Sequence, residues 1–153
     1  MTRDVAIETI SEYFDAGTFQ SELAGLVAYE TESQNPDQAP ELLRYLQQAM
    51  QPRLEKMGFA CTLHDNPAKG AGPILTAERH EGGDLPTVLS YGHGDVIRAQ
   101  TDQWRDGLHP FTLVDEGERL YGRGTADNKG QHLINIAALE AVIAARGRLG
   151  FNC

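Results

Sequence analysis

A histidine and an aspartate separated by one glycine are the first residues whose types and spacing suit chemistry. They are His93 and Asp95, in the segment 91–96 that follows a predicted strand. In an extended segment both side chains project to the same face, so the carboxylate can orient the imidazole or lie beside a metal that the imidazole binds. The same pair also occurs in ordinary loops, as an exposed histidine and a turn-forming aspartate. The pair therefore indicates a metal site only with support from elsewhere in the chain.

A second candidate is Asp127, which lies between the glycine-rich segment 122–124 and a strongly apolar helical pattern. The positive end of the helix dipole and the free N–H groups favour an ionised carboxylate there. Such a carboxylate suits a divalent cation, although Asp127 could equally act only as a helix cap. Nucleotide-binding motifs do not fit. Lys129 is followed by Gly130 rather than Ser or Thr, and Asp127 occupies a position where a dinucleotide fingerprint has Gly or Ala.

Helices in the first third of the chain must position these segments. The apolar spacing predicts one helix up to Gly17, a second over residues 19–27 and a third over residues 42–57. Pro52 should bend or interrupt the third helix because it lacks a backbone donor.

Short β-type runs bounded by turn residues follow, and the last long element is again helical. The predicted strands are residues 61–64, 74–78, 87–91 and 111–114, with a hairpin return through 116–118 to 120–121. Residues 87–91 are the strongest candidate for a buried strand. From Lys129 to Arg146 apolar residues cover nearly the whole circumference, which predicts a helix packed in a core.

The alternation of helices and strands indicates an α/β fold with a mixed, mostly parallel sheet flanked by helices. Residues 149–151 resemble the opening of a further strand, and a strand interrupted there would leave an open sheet edge. We therefore expect residues 1–153 to be the N-terminal part of a longer protein.

Composition excludes several classes of protein. The 153 residues carry 13 Lys+Arg and 22 Asp+Glu, a net charge of −9, without the basic cluster that nucleic-acid binding requires. Apolar stretches are shorter than the roughly 20 residues of a membrane span, and acids interrupt the N-terminal segment where a signal peptide is apolar. Cys61 and Cys153 lie far apart, which indicates free thiols. We expect a cytoplasmic protein with no nucleic-acid or membrane partner.

Considered together, the two segments resemble the zinc-dependent exopeptidases and deacylases. That family includes glutamate carboxypeptidases, carnosine-type dipeptidases, aminoacylase, acetylornithine deacetylase and succinyl-diaminopimelate desuccinylase. The resemblance rests on both motifs, on their order and on their separation, and it extends over residues 59–152. Its motifs are residues 92–96, Trp104 with Pro110 and Phe111, and residues 120–130.

The resemblance implies roles for three residues. His93 would ligate one zinc ion, Asp127 would bridge two, and Asp95 would serve catalysis by orienting His93. Zinc, as two ions per complete site with cobalt or manganese as alternatives, would support metal-assisted hydrolysis of an amide bond. The family's glutamate pair, which supplies the general base, and its remaining ligands would lie beyond the sequence. By this resemblance residues 1–153 would be the N-terminal portion of a single metallopeptidase catalytic domain, without the rest of that domain and without the family's dimerisation domain. Asn128 departs from the second acid or methionine of many members.

Other polar and aromatic residues have weaker assignments. His132, early in the last helix, is expected to face the site, whereas His64, His80 and His109 fit surface or loop positions. Residues 30–33 either border the cleft or are simply solvated. Two aromatic residues either line the entrance or only pack, namely Trp104 and Phe111.

The leading hypothesis is a hydrolase of peptide or N-acyl amide bonds, of the exopeptidase or dipeptidase type, acting on small peptides or N-acyl amino acids. The complete protein is expected to form a homodimer, and this chain alone is expected to be inactive. One alternative is an N-acyl amino acid deacylase of the same family. The other is a non-catalytic α/β module that binds an anion at the glycine-rich helix start.

Overall fold

The computed structural model describes residues 2–68 and 70–153. The chain begins with two helices, α1 (Thr2–Asp15) and α2 (Thr18–Val27). Between them Gly17 adopts a left-handed conformation with φ 73°, which glycine accepts without a steric penalty. Both helices predicted from the apolar spacing are confirmed.

The third predicted helix is present, but it is interrupted. It consists of α3 (Ala39–Tyr45), a π-helical turn (Leu46–Met50) and α4 (Gln51–Lys56). The wider turn immediately precedes Pro52, which lacks the N–H that a regular α-helix would use at this position. The predicted interruption at Pro52 is therefore confirmed, and it lies in the turn before the proline.

Two antiparallel hairpins follow the helices. The first pairs β1 (Ala60–His64) with β2 (Ile74–Glu78), and the second pairs β3 (Val114–Asp115) with β4 (Leu120–Tyr121). Parallel pairing within residues 2–68 and 70–153 is limited to two isolated bridges, Glu32 with Val96 and Thr87 with Asn152. The α/β class is confirmed, but the predicted mixed, mostly parallel sheet is wrong for the described residues, because both sheets are two-stranded and antiparallel. The strand predicted over residues 111–114 begins only at its last residue, Val114.

The prediction of a buried strand over residues 87–91 is wrong. Only Thr87 forms a bridge, and Leu89 and Tyr91 are 93% and 79% exposed. A strand requires backbone partners along its length, and here the available partner is Asn152, which receives the Val88 N–H at 2.7 Å. The residue types in 87–91 match a buried strand. In the described part of the chain, however, only Thr87 and Val88 have a neighbouring backbone, that of Asn152.

The long helix α5 (Lys129–Arg146) has the bounds that the sequence predicts and ends at Gly147, φ 73°. One face is buried against α1 and α2 through Leu133, Ala137 and Ala141. Burial around the whole circumference is wrong, because Ile134 is 56% exposed. Neither α5 nor any other helix in the described residues has the length and apolar character needed to cross a membrane.

Hydrogen bonds join the segment after α5 to the loop that follows β2. Both carboxylate oxygens of Glu81 accept backbone N–H bonds, from Leu149 at 2.8 Å and from Gly150 at 2.6 Å. Arg79 adds an ion pair at 2.8 Å, and the Glu81 side chain is only 7% exposed. These bonds, led by the one from Leu149, lower the pKa of Glu81 to about 2.

We expect Glu81→Gln to make the chain less stable at neutral pH, because the amide presents one oxygen where the carboxylate presents two. The Glu81 pKa is lower in the folded than in the unfolded chain, so its stabilisation is complete above pH 4.5 and is lost as the pH falls towards 2. Urea unfolding at several pH values should show the difference between variant and wild type shrinking across this range. A difference that is independent of pH would contradict the assignment.

Candidate metal centre

The loop that carries His93 is held by the segment between α2 and α3. The Val96 N–H donates to the Thr31 carbonyl at 2.8 Å, and the Val96 carbonyl accepts from the Ser33 N–H at 3.0 Å. The hydroxyl of Thr31, which is fully buried, donates to the Gly94 carbonyl at 2.5 Å. The prediction that this segment borders the site is confirmed.

The His93 imidazole lies between two carboxylates. Its Nδ1 is 3.0 Å from Asp95 Oδ1, and its Nε2 is 3.1 Å from Asp127 Oδ1. The imidazole is partly exposed and the Asp127 side chain is 83% exposed, so the group opens to solvent. The structure therefore brings together all three residues that the sequence singled out, across 34 positions of the chain.

Asp127 occupies the turn immediately before α5. Asn128 holds the N-cap position without a capping hydrogen bond from its side chain, and the Asp127–Asn128 peptide bond is cis. The carboxylate of Asp127 points at His93 rather than serving as the cap residue. This placement leaves a largely exposed carboxylate beside an imidazole at the start of a helix.

The three side chains suit one half of a metal site. Ligand atoms bound about 2.1 Å from a tetrahedral zinc lie about 3.4 Å apart, which is close to the observed spacing of His93 Nε2 and Asp127 Oδ1. Asp95 lies on the opposite ring nitrogen, as in carboxylate–histidine–metal arrangements. In residues 2–68 and 70–153 no group of three His, Cys, Asp or Glu side chains could hold an ion.

Close packing explains the two glycines that flank His93. A Cβ atom at Gly92 would lie 2.6 Å from the Cβ of His132, and one at Gly94 would overlap the ring of Tyr45. Gly92 thus lies against His132, and Gly94 lies against Tyr45, at separations that only glycine allows. Neither contact is evident from the local sequence, because Tyr45 and His132 lie far along the chain from both glycines.

A cleft of 580 Å³ lies beside the His93 loop. His93, Asp95 and His132 contribute to its wall, together with apolar residues of the third helix, β2 and α5 and with the segments 70–73 and 88–92. Trp104 and Phe111 are not among its lining residues. Trp104 instead donates its indole N–H to the Ala99 carbonyl at 2.9 Å, so a lining role for these two aromatics finds no support.

Buried polar residues surround the site, and the sequence pointed to only one of them. His132 is 7% exposed and faces the cleft as expected, and burial followed by the nearby His93 lowers its pKa to about 4. Lys129 is fully buried with Nζ 2.7 Å from the Tyr29 carbonyl, and burial lowers its pKa to about 7. Tyr45 bonds to His132 from a helix 87 positions away, and its sequence context signals only an apolar position. His64, His80 and His109 are exposed, as predicted.

The fold and the site together define the class of protein. The structure superposes on human carnosine dipeptidase 1 with a TM-score of 0.81 and 28% identity, covering 99% of this chain and 33% of that one. The fold also matches the dipeptidase Dug1p from Saccharomyces cerevisiae, with a TM-score of 0.81 at 23% identity, over 97% of this chain and 33% of that one. The α/β fold therefore matches about a third of each of these dipeptidase structures.

A protein-family model matches part of the sequence. Residues 89–151, which include His93, Asp95 and Asp127, match the model of "Peptidase family M20/M25/M40". The resemblance inferred from the two motifs is confirmed over this segment.

Individual relatives agree with the family match. A Beta-Ala-His dipeptidase of Mus musculus is 44% identical over 82 residues, which are 52% of this chain and 16% of that protein. A succinyl-diaminopimelate desuccinylase of Variovorax paradoxus is 35% identical over 103 residues, 65% of this chain and 26% of that protein. A cysteinylglycine-S-conjugate dipeptidase of Corynebacterium striatum is 35% identical over 91 residues, 59% and 19% respectively. The chain spans a third or less of the length of these relatives.

Proposed function

We propose that the chain contributes His93 and Asp127 as metal ligands, and Asp95 as the residue that orients His93, to a metal-dependent hydrolase of peptide or N-acyl amide bonds. The observation that carries the proposal is the placement of the His93 ring between the two carboxylates, at 3.0 and 3.1 Å. The family match over the same residues supports it. The chain would form the N-terminal portion of the catalytic domain.

The donor set favours zinc as the metal, as two ions in a complete site, with cobalt or manganese as alternatives. Bound zinc supplies Lewis-acid polarisation of a scissile carbonyl and lowers the pKa of a bound water. With a cation bound at Nε2, the Nδ1–H of His93 would donate to Asp95, whose backbone carbonyl oxygen lies 3.2 Å away and whose Oδ1 lies 3.0 Å away, and the Nε2 lone pair would face the cation. Asp127 adds a negative charge next to that lone pair. The two ligand atoms already lie 3.1 Å apart, and a cation would replace the hydrogen bond between them.

Dipeptides are the proposed substrate class, and N-acyl amino acids are the alternative. Two of the relatives above are named as dipeptidases and one as a desuccinylase, and the highest of these identities is to a dipeptidase. A small substrate fits a cleft of 580 Å³. A homodimer and a cytoplasmic location complete the proposal for the whole protein.

The anion-binding module is the weaker alternative. An anion at the start of α5 would meet the Asp127 carboxylate, which lies directly before the helix and is 83% exposed. Repulsion between two anions at this spacing opposes binding, whereas a cation between Asp127 and His93 would be attracted.

The proposed function is tested on a polypeptide that contains this segment and has the full length of the relatives. We expect it to release amino acids from dipeptides in the presence of zinc, to lose this activity in a chelator, and to regain it when zinc, cobalt or manganese is restored. Comparing dipeptides with N-succinyl amino acids separates the two substrate classes. Binding of small anions without hydrolysis of either class would support the module instead.

We expect the 153-residue chain alone to bind zinc weakly and not to hydrolyse amides. His93 and Asp127 provide two ligands, and even catalytic zinc sites have three protein ligands. After dialysis against metal-free buffer, the zinc content of the chain should be negligible by atomic absorption. Stoichiometric retained zinc, or hydrolysis by the isolated chain, would contradict this prediction.

A further inference from the structure

Three polar side chains link the core to the His93 loop by hydrogen bonds. The Tyr45 hydroxyl lies 2.5 Å from His132 Nε2, and His132 Nδ1 lies 3.3 Å from Asn128 Oδ1. The same Asn128 oxygen accepts the backbone N–H of His93 at 3.2 Å. Tyr45 and His132 are 2% and 7% exposed, so water does not compete for these bonds.

The donors and acceptors of this chain of hydrogen bonds are mutually consistent in one arrangement. Asn128 Nδ2 donates to Gln131 Oε1 at 2.5 Å, so the Asn128 oxygen faces His132 and His93 as an acceptor. His132 must then donate from Nδ1, which leaves Nε2 to accept the Tyr45 O–H. His132 is thereby a neutral imidazole with its proton on Nδ1. The lowered pKa of His132, caused first by burial, agrees with this form.

Packing also holds the His93 loop, at the glycines before and after His93. The ring of Tyr45 lies against Gly94 and the Cβ of His132 lies against Gly92, so closely that neither glycine has room for a side chain. Tyr45 and His132 therefore also contact the backbone at the residues directly after and before His93. Movement of either side chain would move the imidazole relative to Asp127.

We propose that Tyr45 and His132 are positioning residues, which hold the His93 backbone through Asn128 and so set the affinity of the His93–Asp127 pair for a divalent cation. The inference rests on the proposed function for the role of that pair, but the hydrogen-bond chain itself can be tested without a metal. Neither residue contacts the cation in this scheme. Both act through the position of His93.

The test uses Tyr45→Phe in the 153-residue chain, with Tyr29→Phe as the matched control. Tyr29 packs edge-on against Tyr45 with ring centroids 5.4 Å apart, and its hydroxyl is not part of the hydrogen-bond chain. Proton–nitrogen NMR of the imidazoles reports the tautomer of His132, and the backbone amide shift of His93 reports its bond to Asn128. Titration with zinc chloride, followed at the His93 resonances, reports the relative metal affinity.

In Tyr45→Phe we expect His132 to lose its single Nδ1-protonated form, the His93 amide to shift, and zinc affinity to fall by about tenfold, as for other residues that orient metal ligands. Tyr29→Phe should leave all three within experimental error. An unchanged tautomer and an affinity equal to that of the control would overturn the proposal. A purely structural role for Tyr45 would lower thermal stability without altering the tautomer.

Two further outcomes are separable. If Tyr45→Phe does not fold, His132→Asn gives the same comparison at the His93 amide. The asparagine can still donate to Asn128 but cannot reach Tyr45. A wild-type amide shift and zinc affinity in that variant would refute the role of Tyr45. If zinc causes no shift at His93 in the wild-type chain, the proposed metal function fails in this segment. The tautomer and amide measurements then decide the positioning role by themselves.

Discussion

Replacing Asp127 by Asn is expected to lower amide hydrolysis by about a thousandfold in a polypeptide with the length of the relatives, and to remove most of its zinc. The carboxamide has nearly the shape of the carboxylate but lacks the negative charge that holds a divalent cation. Polarisation by the metal is worth several kcal/mol, and each 1.36 kcal/mol is a factor of ten in rate. The measurements are the rate of dipeptide hydrolysis and the zinc content of the purified variant.

The position of Asp127 in the structure separates an effect on the metal site from an effect on stability. The Asp127 side chain is 83% exposed, so its replacement should leave the thermal stability of the apoprotein almost unchanged. Asp102 is the matched control, because it is an exposed aspartate in a 3₁₀ turn away from the cleft. Asp102→Asn should retain full activity and zinc. If Asp127→Asn also retained both, Asp127 would not be a metal ligand and the proposed function would fail.

The residues at the centre of the site were accessible to sequence reasoning because their signals are local. His93 and Asp95 are two positions apart, and Asp127 precedes a helix whose bounds, Lys129–Arg146, follow from apolar spacing and a terminal glycine. What brings the two segments together is not local. Thr31 reaches Gly94 across 63 positions and Tyr45 reaches His132 across 87, through side chains whose sequence context is that of ordinary helix or loop residues.

The fold shows the same division between local and distant determinants. Strands β1 and β2 were predicted because each is bounded by turn residues and each pairs with a near neighbour in sequence. Residues 87–91 have equally strong β propensity, yet β propensity describes how a side chain suits a pleated surface and supplies no partner strand. The sequence of a single segment does not specify which backbone will lie beside it, so the exposure of Leu89 could not be predicted.

The same dependence on distant contacts predicts that Gly130→Ala destabilises the chain, although alanine is the better helix former. Gly130 lies in the first turn of α5 and is buried, and a Cβ atom there would overlap the backbone carbonyl oxygen of Thr125. A backbone atom cannot change rotamer to make room, so the turn before α5 must shift. We expect a loss of about 1–3 kcal/mol in the free energy of unfolding, typical of overpacked sites.

Gly25→Ala is the matched control, because Gly25 is an exposed residue of α2 with no atom within 4 Å of the Cβ position. Helix propensity acts alone at that site, and alanine should stabilise the chain by about 0.5–1 kcal/mol. Urea unfolding of both variants should therefore give shifts of opposite sign for the same chemical change. If Gly130→Ala were also stabilising, the close approach of α5 to Thr125 would be wrong. The position of Asp127, two residues after Thr125, would then be wrong as well.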